Sequence, residues 1–242
     1  MAIRRVQKLK REYPHPVNLK IAKPEWIAVD DYFGGLFAPK DKQLDAALVA
    51  NREAGLPAID VSPLQGKFLH VLVQILKPKR ILEVGTLGGY STMWMARALP
   101  RGGRIVSLEF NPKHADVARK NLENGGLAKR VEIRVGKAIN NLPKLEAEGA
   151  GPFDFIFIDA DKPSNPQYLK WALKLARVGT VIIVDNVVRD GKVADAKSTD
   201  ADVRGTRKMA SLMAKEPRLS ASVVQNVGVK GYDGFAMAVV VS

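Results

Sequence analysis

The chain contains no cysteine and only three histidines. Without thiols it can form no disulfide framework, zinc ribbon or iron–sulfur centre, and it offers no cysteine nucleophile. His15, His70 and His114 are too few for a multi-histidine metal site. No apolar run approaches the ~18 residues of a membrane span, so no membrane partner is expected. The opening segment MAIRRVQKLKREYPHP is basic but lacks a following apolar stretch. A cytoplasmic location is therefore expected rather than a secretory one. Acidic residues are also few: 25 Asp and Glu face 38 Lys and Arg, a formal net charge of +13 over 242 residues. Residues 1–24 hold Arg4, Arg5, Lys8, Lys10, Arg11, Lys20 and Lys23 against Glu12 alone. Such an arm suits an anionic partner, RNA or a CoA thioester among them, or a merely solvated surface.

What is present is ordinary globular material. The 46% hydrophobic content is enough to offset ordering entropy, which excludes a disordered chain. Residues 1–55 read as a helical, peripheral extension, with Leu44, Ala47, Leu48 and Asn51 at helical spacing. Leu64–Leu76 reads as a helix stopped by Pro78. From there short apolar strands alternate with helices. Strands are predicted at 81–84, 104–109, 131–135, 153–158 and 179–184, with helices at 90–99, from Asn111-Pro112, at 137–147, from Pro166 to Arg177 and at 200–215. Thr199 or Asp200 is the expected cap of the last helix. Two further strands, 219–227 and 234–241, flank the loop GVKGYDG and form a hairpin, so one runs against the rest. The pattern predicts a Rossmann-like, doubly wound α/β fold. Its seven-stranded sheet is mostly parallel with one antiparallel strand, and helices cover both faces. Residues 56–242 form the expected main domain.

Ligands of such sheets bind at the carboxyl ends of the strands. After the first strand the chain reads Glu83-Val84-Gly85-Thr86-Leu87-Gly88-Gly89-Tyr90-Ser91. This is neither the dinucleotide fingerprint nor a phosphate loop. Glu109, at the end of the second strand, suits ribose hydroxyls. Strand four ends in Asp159-Ala160-Asp161-Lys162 and strand five in Asp185-Asn186. Asp159, Asp185 and Asn186 supply three hard oxygens, a set suited to magnesium, manganese or calcium.

The glycine turn and Glu109 resemble the first cofactor motifs of S-adenosylmethionine (SAM)-dependent methyltransferases. The pair DADK and DN resembles the cation-dependent O-methyltransferases, the catechol and caffeoyl-CoA group, over residues 56–242. The resemblance implies SAM as cofactor, with Val61, Glu83, Gly85, Ser91, Glu109, Ala138 and Asp159 around it. Ser91 would hold the methionine carboxylate and the Ala138 amide the adenine. Val61 replaces the family's usual threonine, leaving a backbone contact there. The resemblance also implies a divalent cation, most readily Mg2+, on Asp159, Asp185 and Asn186, with Lys162 as base. A phenol, with a pKa of about 10, needs such help at neutral pH, and a lysine beside a cation gives up its proton more readily. The expected acceptor is a vicinal dihydroxy aromatic, of caffeoyl or flavonoid type. The alternative is the 5-hydroxyuridine of transfer RNA, gripped by the basic arm. Arg189 stands where plant caffeoyl-CoA enzymes carry tryptophan, and it could bind an anionic group. Tyr232 and Asp233 are expected to line the acceptor pocket, and a homodimer is implied.

Overall fold

The computed structural model describes residues 22–242; the basic positions from Arg4 to Lys20 lie outside them. Helices α1 (Pro24–Phe37), α2 (Lys42–Glu53) and α3 (Pro63–Leu76) precede the sheet. The sheet then alternates with helices: β1 (Arg80–Val84), α4 (Tyr90–Ala98), β2 (Arg104–Glu109), α5 (Pro112–Asn124), β3 (Val131–Val135) and α6 (Ala138–Ala147). β4 (Phe153–Ile158), α7 (Asn165–Lys174), β5 (Ala176–Asp185), α8 (Ala201–Lys215), β6 (Leu219–Gly228) and β7 (Gly231–Val240) follow. The seven strands lie in the order β3-β2-β1-β4-β5-β7-β6. β7 alone is antiparallel, to both β5 and β6.

Alternation along the central strands explains the two cores. Successive residues point to opposite faces. Leu82, Val84, Ile156, Ile158, Ile182 and Val184 meet Leu142, Leu145, Leu169, Met209 and Met213 of α6, α7 and α8. Ile81, Phe155, Phe157 and Ile183 meet Leu44, Leu48, Leu69, Val73 and Met93 of α2, α3 and α4. α2 thus belongs to the core, whereas α1 rests on α3 and β6 at the edge. Caps fix where helices begin. Asp41 accepts from the amides of Gln43 and Leu44, Ser62 from Gln65, Asn111 from Lys113, and Asp200 from Asp202 and Val203.

Two boundaries differ from the sequence pattern. α7 stops at Lys174 and Ala176 is already strand, where a helix to Arg177 and a strand from 179 were expected. The cause is a bulge: Phe153 pairs with Ala176, but Phe155 pairs with Val181. Gly179 takes φ +88° within it, and the Thr180 hydroxyl donates to the Phe153 carbonyl at 2.7 Å. The predicted loop at 228–234 is likewise a two-residue turn, Val229–Lys230, since Gly228 already pairs with Gly231. Tyr232 and Asp233 therefore sit in β7 rather than in a loop.

Candidate active site

The strand ends of β1, β2, β4 and β5 gather the predicted residues. β1 and β4 approach closely there: the Asp159 amide donates to the Val84 carbonyl at 2.8 Å. Gly85 takes φ +104°, and a Cβ on it would run into the Asp159 carbonyl, so only glycine fits. Glu109 ties the glycine turn to β2. Its Oε2 accepts from the amides of Thr86 (3.2 Å) and Leu87 (2.7 Å), and its Oε1 from Asn111 (2.9 Å). Glu83 is fully buried and accepts from the hydroxyls of Ser91 (2.6 Å), Thr92 (2.5 Å) and Ser107 (2.6 Å). Burial pushes its carboxyl up to about 7 against the pull of those three donors. Ser91 thus faces Glu83. Val61 is buried ahead of α3, and Ala138 opens α6.

Next to this turn stand the acids of β4 and β5. Lys162, buried at the start of a 3-10 turn, donates to Asp159 Oδ1 at 3.0 Å. Asp185 ends β5 and is buried. Gln65 Nε2 donates to its Oδ2 at 2.6 Å and the Asn186 amide to its Oδ1 at 2.8 Å. Burial, and then the Asp159 charge, push the Asp185 carboxyl up to about 7, while Lys162 opposes them. Asn186 takes φ +56°, a region that asparagine tolerates better than other side chains, and so the chain turns sharply after the acid.

The outer candidates are held differently. The Arg189 guanidinium is committed to Asp202 at 2.7 Å. Asp233 Oδ1 accepts from the amides of Val188, Arg189 and Gly234, each at 3.0 Å, and so shapes the loop after β5. The Tyr232 hydroxyl bonds the Gln225 side chain across the hairpin.

Several participants were not found from the sequence. Gln65 reaches Asp185 because the Ser62 cap starts α3 three residues earlier. Asn51 donates to Asp60 at 2.9 Å, and Asn121 donates to both Asn51 (3.0 Å) and the Gly88 carbonyl (2.9 Å). This buried amide chain holds the glycine turn from behind; only the helical spacing of Asn51 hinted at it. Lys230, at the tip of the β6–β7 hairpin, donates to the Asp60 carbonyl at 2.8 Å. A cavity of about 440 Å³ opens beside Arg80, Asp154 and Arg177, at the amino ends of the strands and away from these groups. A smaller one, about 220 Å³, lies under α1 between Asp30, Ser62, Tyr90 and Trp94, on the cofactor-turn side.

Known proteins resemble this chain in sequence and fold. A family profile described as O-methyltransferase matches residues 41–238. The chain is 54% identical over 213 residues to a protein named catechol O-methyltransferase from Niastella koreensis, covering 88% of this chain and 96% of that one. The crystal structure of an O-methyltransferase from Bacillus cereus in complex with SAH superposes with a TM-score of 0.88 at 58% identity, over 89% of this chain and 98% of that one. The O-methyltransferase TomG from Streptomyces achromogenes, in complex with SAM, gives a TM-score of 0.87 at 46% identity, over 90% and 98%.

Proposed function

Because this chain belongs to the O-methyltransferase family and is a SAM-dependent methyltransferase, we propose that it methylates a vicinal dihydroxy aromatic acceptor, with Lys162 as base beside a divalent cation. The observation that carries this reading is the Lys162–Asp159 contact at 3.0 Å with buried Asp185 beside it, next to the glycine turn. The relative named catechol O-methyltransferase supports the acceptor class.

The residues fit a cation by their chemistry. Among the described residues no group of three His, Cys, Asp or Glu side chains is placed to hold a metal ion. The set is instead two carboxylates and an amide, Asp159, Asp185 and Asn186, all hard oxygen donors suited to Mg2+. Asp185 is desolvated beside a second carboxylate, an arrangement that an opposite charge would relieve. When bound, the cation would act as a Lewis acid that favours the ionised hydroxyl. Lys162 is the base that takes the acceptor's hydroxyl proton. The oxygen then attacks the donor methyl carbon, and the carbon–sulfur bond breaks as the new carbon–oxygen bond forms. Glu83, Ser91 and Glu109 orient the donor around the turn, and alignment supplies much of the rate. An exposed apolar stripe on α1 supports pairing of two copies.

The test is transfer of a labelled methyl group to catechol and caffeate, with and without chelator. Removal of divalent metal is expected to abolish transfer, and added Mg2+ to restore it. Lys162→Ala is expected to keep SAM affinity while turnover falls by about 100-fold or more. Full turnover after exhaustive chelation, or in the lysine variant, overturns the reading.

A further inference from the structure

Lys230 occupies the two-residue turn between β6 and β7, far in sequence from Asp60, Asp159 and Asp185. β7 starts at the carboxyl end of the sheet, since it runs against β5, and Phe235 pairs with Asp185. The turn is fixed from two sides. Asp30 of α1 accepts from the Val229 amide at 2.7 Å, and Val229 is buried with Ala22 and Ile27. Lys230 Nζ donates to the Asp60 carbonyl at 2.8 Å. Five residues on from Asp60, Gln65 donates to Asp185 at 2.6 Å. One short segment, 60–65, thus touches the lysine at one end and the buried acid at the other.

The partners of the two outer cations differ. Arg189 spends its charge on the Asp202 carboxylate at 2.7 Å. Among the described residues Lys230 donates to a neutral carbonyl alone, and an ammonium carries three donors. Its charge faces Asp60, Asp159 and Asp185. Burial draws its pKa below lysine's ordinary range, and these three carboxylates oppose that. If a cation neutralises Asp159 and Asp185, two of those three charges are taken up elsewhere, and Lys230 is left as a half-buried positive group beside these acids.

We propose that Lys230 is a specificity-determining residue that selects dihydroxy aromatics carrying an anionic ring substituent, such as a carboxylate, over neutral or cationic ones. The proposal rests on the acceptor class argued above. The ring of an acceptor held by its hydroxyls at Asp159 and Lys162 points its far substituent away from those acids, and a carboxylate there can accept a charge-assisted hydrogen bond from the ammonium. A protonated amine at the same place meets a like charge.

The test compares kcat/KM for 3,4-dihydroxybenzoate, catechol and dopamine in the unaltered enzyme, Lys230→Gln and Lys230→Glu, with catechol as the reference in each. Glutamine keeps a donor for the Asp60 carbonyl and removes the charge. The dihydroxybenzoate-to-catechol ratio is expected to fall about tenfold or more in Lys230→Gln. The dopamine-to-catechol ratio is expected to rise in Lys230→Glu. Proportional changes for all three acceptors would make Lys230 a strut for the hairpin and overturn the proposal, as would ratios that do not move. If the unaltered enzyme methylates none of the three, the acceptor class itself fails and the proposal goes with it.

Discussion

Glu83 sets burial against charge within a single side chain. It has no exposure, three hydroxyl donors and a carboxyl near 7 instead of the ordinary 4.5. Between those values the folded protein holds more protons than the unfolded chain, so this group's contribution to stability falls as pH rises through that window. Asp185, pushed the same way, adds to the trend. Glu83→Gln cannot ionise. The Tm of the variant minus that of the unaltered protein is therefore expected to grow more positive between about pH 5 and about pH 8. A difference that stays constant with pH would mean that Glu83 does not titrate in this range. At this scale the sequence was legible where a polar group sits at or just beyond a strand end. Asp159, Lys162, Asp185 and Glu109 each follow an apolar run that can be recognised without coordinates. Gln65, Asn51 and Lys230 follow no such run. Their partners lie far along the chain, and only the packing of α3, α5 and the hairpin brings them near the site.

Among the elements, α8 packs directly on the turn that carries Lys162. Gly205 presses its backbone onto the turn that carries Lys162, and a Cβ there would run into the Lys162 carbonyl and the Pro163 Cα. Gly205→Ala is expected to cost about 1–3 kcal/mol by overpacking. It should also lower turnover, because the turn that carries Lys162 must shift. Chemical denaturation and kcat, measured on the same preparation, check this; a stable variant with unchanged kcat would show that the helix is not pressing on the turn. Gly205 sits inside a helical pattern in the sequence, and nothing local marks it as a contact point. The bulge in β5 was hidden for a related reason: the residues at 177–180 break the period-two alternation, so the strand seemed to start later than it does. The hairpin turn lacks the usual Asn-Gly or Asp-Gly pair, and Asp233-Gly234 drew the expected loop toward residues that are in fact paired strand.

At the scale of the whole molecule, the mostly parallel sheet, its one antiparallel strand and the helices on both faces followed from alternation and apolar runs, and the exposed surface did not. Val29, Tyr32, Phe33, Leu36 and Phe37 are all exposed, at the three- and four-residue spacing of one face of α1. Phe33 and Phe37 stack with centroids 5.9 Å apart. Val223, Val224 and Val227 are exposed on β6, against which α1 rests. Apolar surface arranged this way is expected to be covered by a second copy. Light scattering of the full chain should give twice the chain mass, and Tyr32→Asp with Leu36→Asp should give a single one. A unaltered protein that runs at one chain mass at micromolar concentration would remove the pairing.

The hairpin tip also bears on how the protein is made. Val229 meets Asp30, and Lys230 meets Asp60, across nearly the whole length of the chain. A polypeptide emerging from the ribosome would complete the glycine turn, Asp159 and Asp185 well before the hairpin that packs beside them. Docking of that hairpin is a slow, long-range contact of folding. The newborn chain should therefore hold its central strand ends in place before the last two strands close over the edge of the sheet.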